Sequence, residues 1–429
     1  GTIIQGEIMS TKEVFKVKIA GQAGQGIKSA GLIFAKFATR SGYNVYNYVE
    51  YPSLIRGGHN AMQLNISRSQ VTGPSRYSDF LIVLNQESIF KHRNELSENS
   101  FIIFDSEAKY KTDLLPKNTK LLAVPLNKIA KEAGGGELLI NMVALGVLAG
   151  MVEGDLEVLK ALVEEEYKDK PDIVQSDIKV IELGYKYAQE NFKDVNGNVF
   201  KLKNNTEHKK LMVLNGDDAV ALGAIAGGLQ FAAIYPMSPI SNILHILALY
   251  QVDYGYIYKQ PEDEISAINM SIGASFAGAR AMTATSGGGF CLMTEGYGLA
   301  GMTETPIVII EGMRGGPATG LPTWNGQGDL LFVLHAHQDE FTRIVLAAGD
   351  VSEAFYMTME AFYLADKYQT PVVVLIDKNI CDHEQSVPVF DVSAYRIDRG
   401  KLTYSADPEY KRYRLAENGI SQRTILRFS

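Results

Sequence analysis

Arg314 opens the chemistry of this chain. It follows the apolar run Ile307–Gly312 and enters GGPATGLPTWNGQGDL, a loop that reads as too glycine-rich to cover a guanidinium. Such a group suits bidentate recognition of a carboxylate. The alternative is a surface arginine beside flexible linker, but Pro317, Pro322 and the single tryptophan, Trp324, stiffen the loop beyond what a connector needs. Glu264 is the second candidate. In PEDEISAINMSIGASFAGARAMTATSGGGF, Glu262 and Asp263 suit the first turn of a helix, where acids favour the dipole. Glu264 falls where the small-residue helix begins to pack, so its carboxylate needs a partner from protein or ligand. The run Gly287–Gly289 lets backbone approach a neighbour closely, or turns the chain. Ser238, between prolines in YPMSPIS, is either an aimed hydroxyl or, with Ser241, a helix N-cap.

A second glycine cluster, GQAGQG, places Gly21, Gly24 and Gly26 between a strand and a helix, where amide N–H groups and the helix dipole can hold an anion. Its spacing is not the G-x-G-x-x-G of dinucleotide folds. Phosphate binding and a tight strand-to-helix turn both fit. RGGH (Arg56–His59) follows EYPSLI, and there a solvated surface arginine is the simpler reading.

The elements that must position these residues alternate. FKVKIAG, DFLIVLN, SFIIFDS and KLLAVPL are short apolar strands separated by helical patterns, the signature of parallel α/β architecture. Ile27, Ala30, Phe34 and Phe37 recur at helical spacing, as do Val174, Ile178, Ile181, Tyr185, Ala188 and Phe192; both predict helices that cover a sheet. Residues 193–210 are polar and asparagine-rich, as a linker would be. Beyond it, IVIIEG and VVVLID read as strands buried on both faces of a parallel sheet. From about Ala394 the chain becomes basic, aromatic and unpatterned, an arm or the lead-in to a further domain. At 429 residues, 46% hydrophobic, it affords two or three packed domains, and a net charge of −8 without a long basic run argues against nucleic acid. Cys291 and Cys381 alone cannot hold an iron-sulfur cluster. The apolar run Ala219–Tyr235, broken by Gly227, Gly228 and Gln230, reads as a core helix leading into a strand of a cytoplasmic protein.

Taken together, GQAGQGIKSAG, EYPSLIRGGHN, NGDDAVALGAIAGG, YPMSPIS, the Glu264 segment and GGPATGLPTWNGQGDL resemble, in order, the 2-oxoacid:ferredoxin oxidoreductases. The resemblance is to an alpha subunit with a gamma domain fused ahead of the thiamine pyrimidine-binding domain, and it covers nearly the whole chain. It implies an α/β fold with a gamma domain over 10–192, the linker, a pyrimidine-binding domain over 211–393 and the arm over 394–429. Such alpha subunits continue into another α/β domain beyond the segment resembling ENGIS. The resemblance implies that Glu264 hydrogen-bonds the aminopyrimidine of thiamine diphosphate and favours the imino tautomer, which removes the thiazolium proton. Arg314 and Thr323 match positions that hold the 2-oxoacid, and Ser238 stands where the family usually has threonine. Pro239-Ile240-Ser241 departs from the usual Pro-Ser-Ser. Gly21, Gly24 and Gly26 match the gamma-domain loop.

The implied reaction is CoA-dependent oxidative decarboxylation to acyl-CoA and CO2, with electrons passed to ferredoxin. Magnesium, the diphosphate site and the iron-sulfur cluster would belong to a beta subunit, making this half of a hetero-oligomeric enzyme. Pyruvate, 2-oxobutyrate and 2-oxoglutarate all suit one arginine; 2-oxoglutarate or a broad range is the expectation. Two rivals remain: an assembly subunit that has lost turnover, and a nicotinamide-dependent dehydrogenase.

Overall fold

The computed structural model of the chain describes residues 14–52, 57–192, 200–204, 210–405 and 408–425. Arg56 and most of the 193–210 linker lie outside them. The chain divides into two units: one of residues up to Val213 with Glu384–Val389, the other of Leu214–His383 with Phe390 onward.

The strands, in chain order, are β1 (Val14–Gln22), β2 (Asn44–Glu50), β3 (His59–Ser67), β4 (Ser78–Val83), β5 (Leu96–Asp105), β6 (Lys120–Val124) and β7 (Leu211–Leu214). Then come β8 (Phe231–Ala233), β9 (Ile257–Lys259), β10 (Ala281–Thr285), β11 (Val308–Met313), β12 (Ile344–Ala347) and β13 (Val372–Asp377), followed by β14 (Glu384–Pro388), β15 (Leu402–Thr403) and β16 (Arg423–Thr424).

The first unit is built on an eight-stranded sheet ordered β6-β5-β4-β1-β3-β2-β14-β7. The four strands read from the sequence as a parallel set are β1, β4, β5 and β6, and they pair in parallel. The sheet is nevertheless mixed, because β3 lies antiparallel to β1 and β2, and β14 antiparallel to β2. Period-two alternation sorts β1 between the faces: Phe15, Val17 and Ile19 enter the main core with Phe34 and Phe37, while Ala20 joins a smaller cluster with Leu81 and Ile102. The helix Ile140–Met151 is apolar all round and buried throughout its length apart from its first residue, as such a helix must be.

The helix Pro171–Asn191 forms where its periodicity predicts, but it packs chiefly on the helix Ile140–Met151 rather than on a sheet. Glycines make the approach possible: a β-carbon on Gly184 would stand 3.1 Å from Val147 N and against Val143 O. Among the described residues no single helix is long and apolar enough to cross a membrane.

The second unit carries a six-stranded sheet, β12-β13-β11-β10-β8-β9, parallel at every junction. IVIIEG and VVVLID become its central strands β11 and β13, buried along their length. The run Ala219–Tyr235 divides as expected into the end of the helix Gly216–Ala226 and β8. Beyond Phe390 the chain has little regular structure and is held by ions: Asp366 Oδ2 accepts from Arg280 Nη1 at 2.7 Å and Arg399 Nε at 2.8 Å, and Arg423 Nη2 lies 3.7 Å from Oδ1.

Candidate functional site

In the second unit β8, β10 and β11 release their chains at the same end of a parallel sheet, the end at which open α/β sheets hold ligands. From β10 the chain turns at Ser286 into the helix Gly287–Met302, whose first turn is three glycines. Each meets a different segment. A β-carbon on Gly289 would stand 2.6 Å from Glu264 Oε1, one on Gly288 would stand 3.2 Å from Met237 Cε and 3.5 Å from the Ala318 carbonyl, and one on Gly287 would stand 2.7 Å from Asp329 Oδ2. Close approach requires glycine at 289, and the three glycines together bring the Glu264 helix, the YPMSPIS loop and the loop after Arg314 onto one turn.

Glu264 is the first residue of the helix Glu264–Phe276. The acids ahead of it take other roles than expected: Asp263 lies before the helix as its N-cap, accepting from Ser266 N at 2.7 Å, and Glu262 accepts from the Ser266 hydroxyl. Glu264 is only 4% exposed, and its carboxylate makes no hydrogen bond or ion pair with a described residue. A buried carboxylate without a protein partner is costly unless a ligand supplies one. Ser286, at the N-cap of the glycine helix, likewise buries a hydroxyl without a hydrogen-bond partner.

Arg314 corrects the sequence reading. The loop does cover it: the residue is 8% exposed, and Gly326 folds against its backbone, leaving room for no β-carbon. Its Nη1 donates to the Ser238 carbonyl at 2.7 Å and its Nη2 to the Thr319 carbonyl at 3.0 Å, and burial holds its pKa below the ordinary value. Arg314 thus ties the YPMSPIS loop to its own. Ser238 is half-buried, and neither it nor Ser241 caps the helix Ser241–Tyr254, whose N-cap is Ile240. Thr323 is half-buried in a turn closed by Trp324 N–H to the Leu321 carbonyl.

Two acids escaped the sequence reading, Glu311 and Asp329. Glu311, inside β11, is 0% exposed, and neither carboxyl oxygen meets a hydrogen-bond donor. Burial first, and then the Asp329 carboxylate against it, push its pKa well above the usual carboxylate range. An ionisable residue within an otherwise apolar strand was the available signal.

In the first unit Gly21 lies at the end of β1, and Gly24 and Gly26, at φ of 94° and 70°, sit in the turn that leads into the helix Ile27–Arg40. The turn is self-supporting: Gln22 N–H donates to Gln25 Oε1 at 2.6 Å, Ala23 N–H to the Gly58 carbonyl at 2.9 Å, and Asn141 Nδ2 to the Gly26 carbonyl at 3.1 Å. His59 of RGGH sits opposite Gln22 and is buried, its Nε2 2.7 Å from His92 Nε2. Lys18 bonds Glu50 and Glu95, and Glu95 also takes His92 Nδ1 at 2.7 Å. Burial, then the neighbouring His92, lowers the His59 pKa to about 4; for Glu95 the pull of burial is outweighed by the His92 and Lys18 bonds, giving about 2. No cluster of three or more metal-ligating side chains occurs among the described residues.

A parallel α/β domain, with a buried unpartnered glutamate at the sheet end where such folds hold ligands, is what this site defines. Residues 222–425 match the family described as pyruvate flavodoxin/ferredoxin oxidoreductase, thiamine diphosphate-binding, and residues 16–187 match pyruvate ferredoxin/flavodoxin oxidoreductase. The 2-oxoacid:ferredoxin oxidoreductase subunit alpha of a Sulfolobus species is 33% identical over 95% of this chain and 72% of its own length. The 2-oxoglutarate synthase subunit KorA of Archaeoglobus fulgidus is 42% identical over 43% of this chain and 55% of its own. A solved 2-oxoglutarate:ferredoxin oxidoreductase from Magnetococcus marinus, with 2-oxoglutarate, coenzyme A and succinyl-CoA bound, superposes with a TM-score of 0.89 at 31% identity, covering 96% of this chain and 72% of that one. The chain belongs to the 2-oxoacid:ferredoxin oxidoreductase alpha subunit family, an enzyme family.

Proposed function

We propose that this chain is the coenzyme-activating half of a CoA-dependent 2-oxoacid:ferredoxin oxidoreductase, cytoplasmic, with its first unit acting as a fused gamma-type domain. The substrate is 2-oxoglutarate or a range of 2-oxoacids; the Magnetococcus structure, which holds 2-oxoglutarate, favours the former. One observation carries the reading: Glu264 presents a buried, unpartnered carboxylate over Gly289, a position that admits no side chain.

The residues fit thiamine diphosphate. Glu264 would accept a hydrogen bond from the aminopyrimidine ring, and the absence of a side chain at Gly289 is what lets its carboxylate stand over the helix start. When bound, the coenzyme supplies the nucleophilic carbon and the electron sink for decarboxylation. Glu264, shielded from water, would place its carboxylate at the ring nitrogen and favour the proton shift there without competition from solvent. Arg314, held by two carbonyls, fixes the loop that carries Thr319 and Thr323 and brings positive charge beside Ser238, where a 2-oxoacid carboxylate would be received.

A beta subunit would bring the diphosphate and magnesium site and the iron-sulfur cluster. The second unit has an apolar surface suited to a partner: Met302 is 82% exposed, and Phe276, Ile265 and Leu292 are also exposed. Glu264→Gln in the assembled complex tests the reading. Turnover should fall by about 10²- to 10⁴-fold with assembly intact, as followed by acyl-CoA formation and size-exclusion chromatography; near-normal activity refutes it.

A further inference from the structure

Lys18, Glu50, His59, His92 and Glu95 take no part in the proposed reaction, and the register of the first sheet brings them together. Ala20 of β1 is aligned with Ala61 of β3, Gln22 with His59, and Ala61 in turn with Glu50 of β2. Lys18, His59 and Glu50 therefore share the sheet face of the smaller apolar cluster, on which Ile89 of the helix Gln86–His92 packs. His92 ends that helix, and Glu95 closes the short turn after it.

Geometry limits how many hydrogens the two imidazoles hold. Their Nε2 atoms stand 2.7 Å apart, a contact with room for one hydrogen between them. His92 Nδ1, 2.7 Å from Glu95 Oε2, is a donor, because that carboxylate oxygen also accepts from Lys18 Nζ at 2.6 Å. Lys18 Nζ approaches the same ring nitrogen only at 3.5 Å, the weaker contact. His59 Nδ1 is buried without a hydrogen-bond partner. The pair thus carries at most one positive charge while the rings touch; a second would set N–H against N–H. The groups facing them agree with that limit. Lys18 comes from β1, Tyr48 and Glu50 from β2, Glu87 and Lys91 from the helix and Glu95 from the turn, so three carboxylates stand against two ammonium groups. One imidazolium balances this set, and two overload it.

We propose that the His59–His92 contact is a pH-sensitive clasp that holds the GQAGQG turn to the head of β3, closed while the pair carries no more than one charge and opened by the second proton. His59 is the first residue of β3, the Gly58 carbonyl just ahead of it accepts from Ala23 N–H at 2.9 Å, and Gln22 stands opposite. Expelling the His59 ring displaces Gly58 and with it the anchor of the turn. Because burial and the neighbouring His92 bring His59 down from 6.5 to about 4, the folded chain binds its proton less tightly than the unfolded chain does. The contribution of the clasp is therefore complete above about 6.5 and is lost as pH falls toward 4. Glu95, brought from 4.5 to about 2, acts in the same direction but only in that lower window.

Hydrogen exchange on the full chain, followed by mass spectrometry and corrected for the intrinsic effect of pH, tests the clasp. Between pH 7.5 and pH 5, peptides covering 20–27 and 57–62 should lose protection about tenfold, while peptides from the sheet of the second unit keep theirs. In His59→Gln the amide donates to His92 Nε2 or, turned over, accepts from it, and so follows either protonation state. Protection at pH 7.5 should remain and its pH dependence should vanish. His92→Gln should behave alike and serves should His59→Gln not fold. His335→Gln, at an exposed position in the second unit, should keep the wild-type profile. A wild type without the drop, or a folded glutamine variant of His59 or His92 that retains it, overturns the proposal. No coenzyme or substrate is present in the measurement, so its outcome is independent of the role given to Glu264.

Discussion

Glu264 and Gly289 are in such close contact that glycine is the only residue the turn can hold: Glu264 Oε1 lies 2.6 Å from the site of a β-carbon, and Thr285 Oγ1 presses on the same point. Gly289→Ala should therefore move the carboxylate rather than merely crowd it. We expect destabilisation of about 1–3 kcal/mol and a loss of thiamine diphosphate affinity in the assembled complex. Gly273, exposed on the same helix as Glu264 with open space around it, is the control. Alanine there should be neutral or stabilising by about 0.5–1 kcal/mol. Urea unfolding and coenzyme titration of both variants check the contrast.

Arg314→Lys keeps the charge and loses the fork. A lysine cannot reach the Ser238 and Thr319 carbonyls at once with planar geometry, so the two loops part company. With hydrogen bonds to charged groups worth about 1.5–3 kcal/mol, the KM for the 2-oxoacid should rise by roughly 10- to 100-fold. Steady-state kinetics on a panel of 2-oxoacids measures it, and an unchanged KM would exclude a role in substrate capture.

Asp366 holds Arg280 and Arg399, with Arg423 close by, in a largely buried cluster, and burial has already brought the Arg423 pKa down to about 10. Asp366→Asn leaves these cations without their counter-charge. Removing one partner from a buried network costs about 3–5 kcal/mol, and the segment after Phe390 should detach first. Limited proteolysis within 390–425, ahead of global unfolding in urea, is the expected pattern.

The parallel core was legible because β4, β11 and β13 are nearly unbroken apolar runs, and the helix Ile27–Arg40 because Ile27, Ala30, Phe34 and Phe37 keep one face. Glu264 stood out as an acid at the start of a packed helix. Arg314 was found but misjudged: glycine content says nothing of whether a loop folds back, and Gly326 is what lets this one do so. Glu311 hid inside IVIIEG because a strand's periodicity is read from its apolar members. The Ser241 cap failed because Ile240 took the position with backbone alone. β14 could not be foreseen from EQSVP, a short polar segment whose partner in β2 lies more than three hundred residues away.

That distant partner has a consequence for how the protein is made. β14 pairs Glu384 with Asn47 and Gln385 with Tyr46, and Ser386 Oγ accepts from Val45 N–H at 2.8 Å. Until the ribosome has passed Pro388, the rim of β2 is left with bare amides and carbonyls, so the sheet of the earlier half waits without β14, and without β7 beyond it, while the later half is translated. A fragment ending before residue 384 would keep that rim open permanently and invite a foreign strand onto it.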